Sequence, residues 1–94
     1  MIILGIDPGL ARIGWGVVNY AASRFETLAY GCLETKAGQK PETRLCQIYD
    51  GVAGIISAWR PQEMAIEELF FTKNITTGIV VAEARGVILL CARQ

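Results

Sequence analysis

The feature that most constrains this chain is its opening stretch, ILGIDPGLARIGWGVV, residues 3–18. A run of Ile2, Ile3, Leu4, Gly5 and Ile6 ends abruptly on Asp7, and Pro8-Gly9 turns the chain at once. The continuous apolar run predicts a strand buried on both faces over 2–7. A second strand is expected over 13–20, where Gly14 and Gly16 suggest close backbone approach or a bulge. The short segment between them suits a hairpin, so the two strands should be antiparallel neighbours. A turn at 21–23 leads to a third strand over 25–34, completing a meander. Phe25, Thr27, Ala29, Gly31 and Leu33 are assigned to one face of it, and Leu28, Tyr30 and Cys32 to the other.

A helix follows. Pro41 suits the first helical position, and Glu42 places a carboxylate in the first turn, where the helix dipole favours it. Leu45, Ile48, Tyr49, Val52, Ile55, Ile56 and Trp59 then fall on one helical face, and Pro61 ends the element. Residues 63–67 (EMAIE) read as a short crossover strand that also ends on a carboxylate. Asn74 or Thr76 is a candidate cap for a last helix that is apolar nearly all round, and such a helix belongs in a core or between subunits. A buried helix as the last element of an apolar-rich chain suggests a longer protein that has been cut, so residues 1–94 are read as the N-terminal part of a single domain.

Composition narrows the chemistry. The 94 residues are 52% hydrophobic, with nine basic and nine acidic side chains and no histidine. Zero net charge argues against a general nucleic-acid coat protein, while leaving room for a local basic face. The missing histidine removes Ser-His and Cys-His nucleophile pairs and any His-ligated metal. Cys32, Cys46 and Cys91 are far apart, odd in number and form no CxxC pair; they are expected to be buried, reduced thiols of a cytosolic protein. No segment reaches the roughly 20 mostly apolar residues needed for a membrane span, and the N-terminus lacks the marks of a secretory leader.

Ligands and catalytic groups in α/β sheets gather at the carboxyl ends of strands. If the first and fourth strands are parallel neighbours, Asp7 and Glu67 emerge there side by side. Two such carboxylates repel unless a cation lies between them. With only oxygen ligands to offer, the pair suits Mg²⁺ or Mn²⁺, and such an ion points to phosphoryl chemistry. The plain alternative is that Asp7 initiates a turn and Glu67 is a solvated strand end.

The residues also carry a resemblance. GIDPGLARIGWGVV resembles the first motif of the RuvC family of Holliday-junction resolvases. MAIEELFFTKN, residues 64–74, resembles the family's second motif, while YGCLETK (30–36) and AEARGVILL resemble its third strand and following helix. The ordered set spans essentially the whole chain.

This resemblance implies an α/β, RNase H-like fold: a mixed sheet of a three-strand antiparallel meander plus a parallel fourth strand, with flanking helices, truncated at the C-terminus. It implies a cytoplasmic, homodimeric, Mg²⁺-dependent endonuclease (Mn²⁺ as substitute) that nicks four-way junction DNA symmetrically. It further implies the 75–93 helix as the dimer interface and a branch-migration complex of the RuvAB type as partner.

Asp7 and Glu67 match the family's catalytic, metal-binding acids, and Glu68 is a neighbour. Phe70 matches a base-stacking aromatic, although core packing is its bland alternative. Lys73 and Asn74 match polar residues placed to contact the phosphate backbone. Arg12 stands evenly between a surface charge and a DNA contact. Two further aspartates, expected on a C-terminal helix of the family, are not in this sequence, so the 94-residue chain alone is expected not to cleave junctions. Two other readings remain open: an actin-like or sugar-kinase-type nucleotide-binding domain, and a non-catalytic dimeric junction-binding module.

Overall fold

The structure is a computed structural model that describes residues 1–9, 11–67 and 75–94, the last segment with side chains from residue 78 onward. Four strands and two helices follow in the order β1 (Ile2–Asp7), β2 (Arg12–Ala21), β3 (Arg24–Glu34), α1 (Pro41–Trp59), β4 (Glu63–Ile66) and α2 (Ile75–Arg93). The sheet order is β3-β2-β1-β4. β1 pairs antiparallel with β2 and parallel with β4, and β2 pairs antiparallel with β3. The expected meander with a parallel fourth strand is therefore the architecture found.

The parallel β1–β4 pair begins with an unusual tie. The Ile2 N–H donates to Gln62 Oε1 at 2.6 Å, and the Gln62 N–H donates back to the Ile2 carbonyl at 2.9 Å. This reciprocal clasp sets Ile3 opposite Glu63 and Ile6 opposite Ile66. A parallel strand needs a crossover connection; α1 supplies it. Pro41 occupies the start of α1 and Glu42 its first turn, as the sequence predicts. At the other end Arg60 adopts a left-handed conformation (φ 48°) and its N–H donates to the Ile56 carbonyl at 2.8 Å, just before Pro61.

One core holds these elements together. Leu4, Ile6, Ile13 and Val17 of the sheet meet Ile48, Val52 and Ile55 of α1 and Ala84, Ile88 and Cys91 of α2. Side chains alternate across a strand, so these contacts place both helices on one face of the sheet. Here the structure departs from the expectation that β1 is buried on both faces. Leu4 and Ile6 are buried, whereas Ile3 and Gly5 are only half-buried and Asp7 is exposed. Gly51 of α1 lets the Leu33 side chain of β3 pack close against the helix: a Cβ there would lie 2.9 Å from Leu33 Cδ1.

Three finer expectations are corrected. The β2–β3 register shifts at Val17/Val18, so Val17 faces Ala29 while Val18 faces Thr27. That bulge turns Phe25 and Thr27 to the face of Tyr30 and Cys32, not to that of Ala29, Gly31 and Leu33. Cys32 and Cys46 are exposed, and only Cys91 is buried; all three are free. Trp59, assigned to the packed face of α1, is 37% exposed.

Candidate functional site

The register of β1 against its two neighbours builds the site. Asp7 is the last residue of β1 and lies opposite Gly14 of β2. Ile6 lies opposite Ile66 of β4, and the Glu67 N–H donates to the Ile6 carbonyl at 3.1 Å. Glu67 is thus held one step past the end of β4, beside Asp7. Alternation puts both acids on the face opposite the helices, together with Gly5, Gly14, Gly16 and Ala65. A floor of such small residues leaves the two carboxylates standing clear. Gly14 Cα carries no side chain to crowd Asp7, whose Cβ lies 3.6 Å from where a Cβ on Gly14 would sit.

Both acids are exposed, and they lie side by side where the β1–β4 ladder ends. The Glu67 carboxyl is held above its ordinary value of 4.5, first by its hydrogen bond to Asp7, then by the like charge of that carboxylate, and last by slight desolvation. Glu67 is therefore harder to ionise than a free glutamate while Asp7 stands beside it. Two like charges held this close favour a cation between them. Among the described residues no third acid, cysteine or histidine joins the pair.

Gly9 shapes the exit from Asp7. A Cβ at this position would collide with the Arg12 carbonyl, so only glycine lets the chain fold back this tightly. Beyond the turn, Arg12 begins β2 and forms an ion pair with Glu34 at 3.5 Å. Both side chains are largely exposed, and such a pair contributes little to stability. Arg12 thus sits at the site end of the sheet, with its charge partly answered by Glu34. The Thr35 N–H donates to the Ala11 carbonyl at 3.0 Å, and Arg44 Nε–H of α1 donates to Thr35 Oγ1 at 2.9 Å, which braces the same end.

Of the sequence-predicted site residues, Asp7 and Glu67 are brought together and Arg12 is placed near them. Phe70, Lys73 and Asn74 lie outside the described residues. Sequence reasoning assigned no role to Arg85, whose Nε–H donates to the Glu67 carbonyl at 3.2 Å. The signal available was Arg85, close to Glu83 and midway along a largely apolar helix. Glu34 as the partner of Arg12 was also missed; the cross-strand register that joins them follows from the bulge further along β3.

Residues 3–94 match the family model described as crossover junction endodeoxyribonuclease RuvC. The curated relative of that name from Moorella thermoacetica is 50% identical over 92 residues, covering 98% of this chain and 55% of its own length. That from Heliobacterium modesticaldum is 47% identical over 94 residues, covering 58% of its own length. The chain therefore spans little more than half of the curated relatives it matches. Among solved structures, T. thermophilus RuvC in complex with Holliday junction substrate superposes with a TM-score of 0.90 at 28% identity, covering 98% of this chain and 59% of that one. The yeast mitochondrial Holliday junction resolvase Ydc2 superposes with a TM-score of 0.74 at 11% identity, a likeness of fold alone, covering 97% of this chain and 43% of that one.

Proposed function

The chain belongs to the RuvC family of crossover junction endodeoxyribonucleases, and from that premise we propose that it forms the N-terminal part of a nuclease that resolves four-way DNA junctions. The observation that carries the reading is the Asp7–Glu67 pair, two exposed carboxyls set side by side at the carboxyl ends of the parallel strands β1 and β4. The likeness to a RuvC that was solved with Holliday junction substrate supports the choice of DNA structure.

Asp7 and Glu67 suit a hard divalent cation, Mg²⁺ with Mn²⁺ as substitute, because they present only carboxylate oxygens whose like charges a cation would offset. When bound, such an ion supplies stabilisation for the charge that builds on a phosphoryl group during hydrolysis. The chain's own contribution is to fix the two carboxylates on strand ends, keep their face clear with glycine and alanine, and turn away sharply at Pro8-Gly9. Phe70 is assigned to stacking on an opened base, and Lys73, Asn74 and Arg12 to the phosphate backbone. A stacked base contributes about 1–3 kcal/mol, so Phe70→Ala should weaken junction binding accordingly.

The protein acts as a homodimer, so that two sites nick two strands; the outer face of α2 forms the interface. It works in the cytoplasm, alongside a branch-migration complex of the RuvAB type. No helix among the described residues is long and apolar enough to cross a membrane.

The deciding experiment uses a synthetic four-way junction with Mg²⁺. The complete protein should introduce paired, symmetric nicks, while Asp7→Asn and Glu67→Gln should each slow nicking by about a hundredfold or more with junction binding retained. The 94-residue chain alone should not nick, since two carboxylates form only part of a two-ion site. Full nicking by either variant would overturn the reading.

A further inference from the structure

The Glu67 carbonyl poses a hydrogen-bonding problem that the sequence itself creates. In a parallel ladder, donors alternate between the two strands. The Glu67 N–H donates to the Ile6 carbonyl at 3.1 Å, so the next rung should run from the N–H of residue 8 to the Glu67 carbonyl. Residue 8 is proline and has no N–H to give. The same Pro8 that turns the chain away from Asp7 therefore leaves the backbone of Glu67 without its ladder donor.

Arg85 fills that place. Its Nε–H donates to the Glu67 carbonyl at 3.2 Å, across 18 residues of sequence. The helix brings it there for a clear reason. Ala92, near the end of α2, lies with Pro61, Gln62 and Glu63 around the start of β4, so α2 runs antiparallel to β4. Side chains on a helix lean toward its N-terminus, which in α2 is the Glu67 end. Arg85 is flanked by Ala84 and followed by Ile88, both fully buried in the core against the sheet, so its backbone is anchored and only its side chain need reach.

We propose that Arg85 is a positioning residue for Glu67: its Nε–H replaces the donor that Pro8 cannot supply and fixes the peptide plane from which the Glu67 side chain leaves the sheet. The role gives the AEARGVILL segment a function, and it rests on the reading of Glu67 as one of the two site carboxylates. Partners that orient metal-binding or catalytic groups commonly cost 10–100-fold in metal affinity or activity when removed.

The test uses the complete protein with Arg85→Met, which keeps the aliphatic length without a donor, and Arg85→Lys, which keeps a donor. Arg85→Met should lower the single-turnover nicking rate about tenfold and raise the half-saturating Mg²⁺ concentration, with the Kd for junction DNA unchanged. Arg85→Lys should recover much of the loss. Pro8→Ala restores a ladder N–H, so the Arg85→Met defect should shrink in the Pro8→Ala background.

A purely structural role would lower Tm but leave the rate and Mg²⁺ dependence of the folded protein unmoved, and that result overturns the proposal. So does a loss of junction affinity at unchanged rate, which would make Arg85 a DNA contact. An NMR coupling across the hydrogen bond, from Arg85 ¹⁵Nε to the Glu67 ¹³C carbonyl, reads the contact without any activity. If Glu67→Gln nicks like the parent, the functional reading of Glu67 fails, while this coupling still reports whether Arg85 holds Glu67; its absence sinks the proposal.

Discussion

At the residue scale the Asp7–Glu67 pair makes a prediction about pH that needs no DNA. Folding raises the Glu67 carboxyl above 4.5, so the folded chain holds more protons than the unfolded chain across that window. Stability from the protonated Glu67 carboxyl is present in acid and is lost as pH rises through the raised value. Glu67→Gln removes the like charge and cannot titrate. In cation-free buffer its Tm should exceed that of the parent at neutral pH, and the gap should close as pH falls toward 4.5. Millimolar Mg²⁺ at neutral pH should close it from the other side by stabilising the parent alone. Circular-dichroism melts of the two proteins over a pH series would check both; a gap independent of pH and Mg²⁺ would contradict the raised Glu67 carboxyl. The neighbouring turn makes a second prediction. Gly9→Ala forces a methyl against the Arg12 carbonyl and should cost about 1–3 kcal/mol in urea denaturation.

At the scale of elements, the β2–β3 hairpin carries strain away from the site. Ala22 and Ser23 adopt left-handed conformations, with φ of 52° and 62°. Two such residues suit a tight primed turn, which favours Asn-Gly. The pair Ala22→Asn/Ser23→Gly should therefore stabilise the protein by about 1–2 kcal/mol, measured as a rise in the urea midpoint at constant m-value. The same hairpin shows what the sequence could and could not disclose. Strand ends and helix stops were legible because Asp7, Pro41 and Pro61 punctuate them chemically. The adjacency of Asp7 and Glu67 was legible too, because a crossover helix between two short apolar strands implies a parallel pair. The bulge was only partly so: Gly14 and Gly16 hinted at one in β2, but the extra residue is Leu28 of β3, which no glycine or proline marks, and it reassigned Phe25 and Thr27 to the other face. Burial of β1 on both faces was over-read because an apolar run cannot say how many layers cover it. Arg85 escaped notice because its partner is a backbone carbonyl, and the need for that partner appears only once Pro8 is seen in the ladder.

At the scale of the whole molecule, both helices cover one face of the sheet, and α2 keeps an apolar surface turned outward. Ile79 and Leu90 are each about half exposed and Leu89 is also exposed, while Ala84, Ile88 and Cys91 of the same helix are buried. A helix with two apolar sides fits the proposed dimer, in which one side packs on its own sheet and the other meets a second copy. In a symmetric pair each substitution counts twice. Burying a leucine contributes about 1.5–3 kcal/mol, so Leu90→Lys should cost on the order of 3 kcal/mol or more across the two copies. That weakens self-association at least about a hundredfold. Sedimentation of the complete protein at micromolar concentration should show the shift from dimer to monomer, with the far-ultraviolet spectrum unchanged because Leu90 lies outside the core. Junction cleavage should change in kind as well as rate, since separated sites nick one strand without the paired nick opposite. A Leu90→Lys protein that remains dimeric and nicks symmetrically would remove α2 from the interface and require another surface to bring the two Asp7–Glu67 pairs onto one junction.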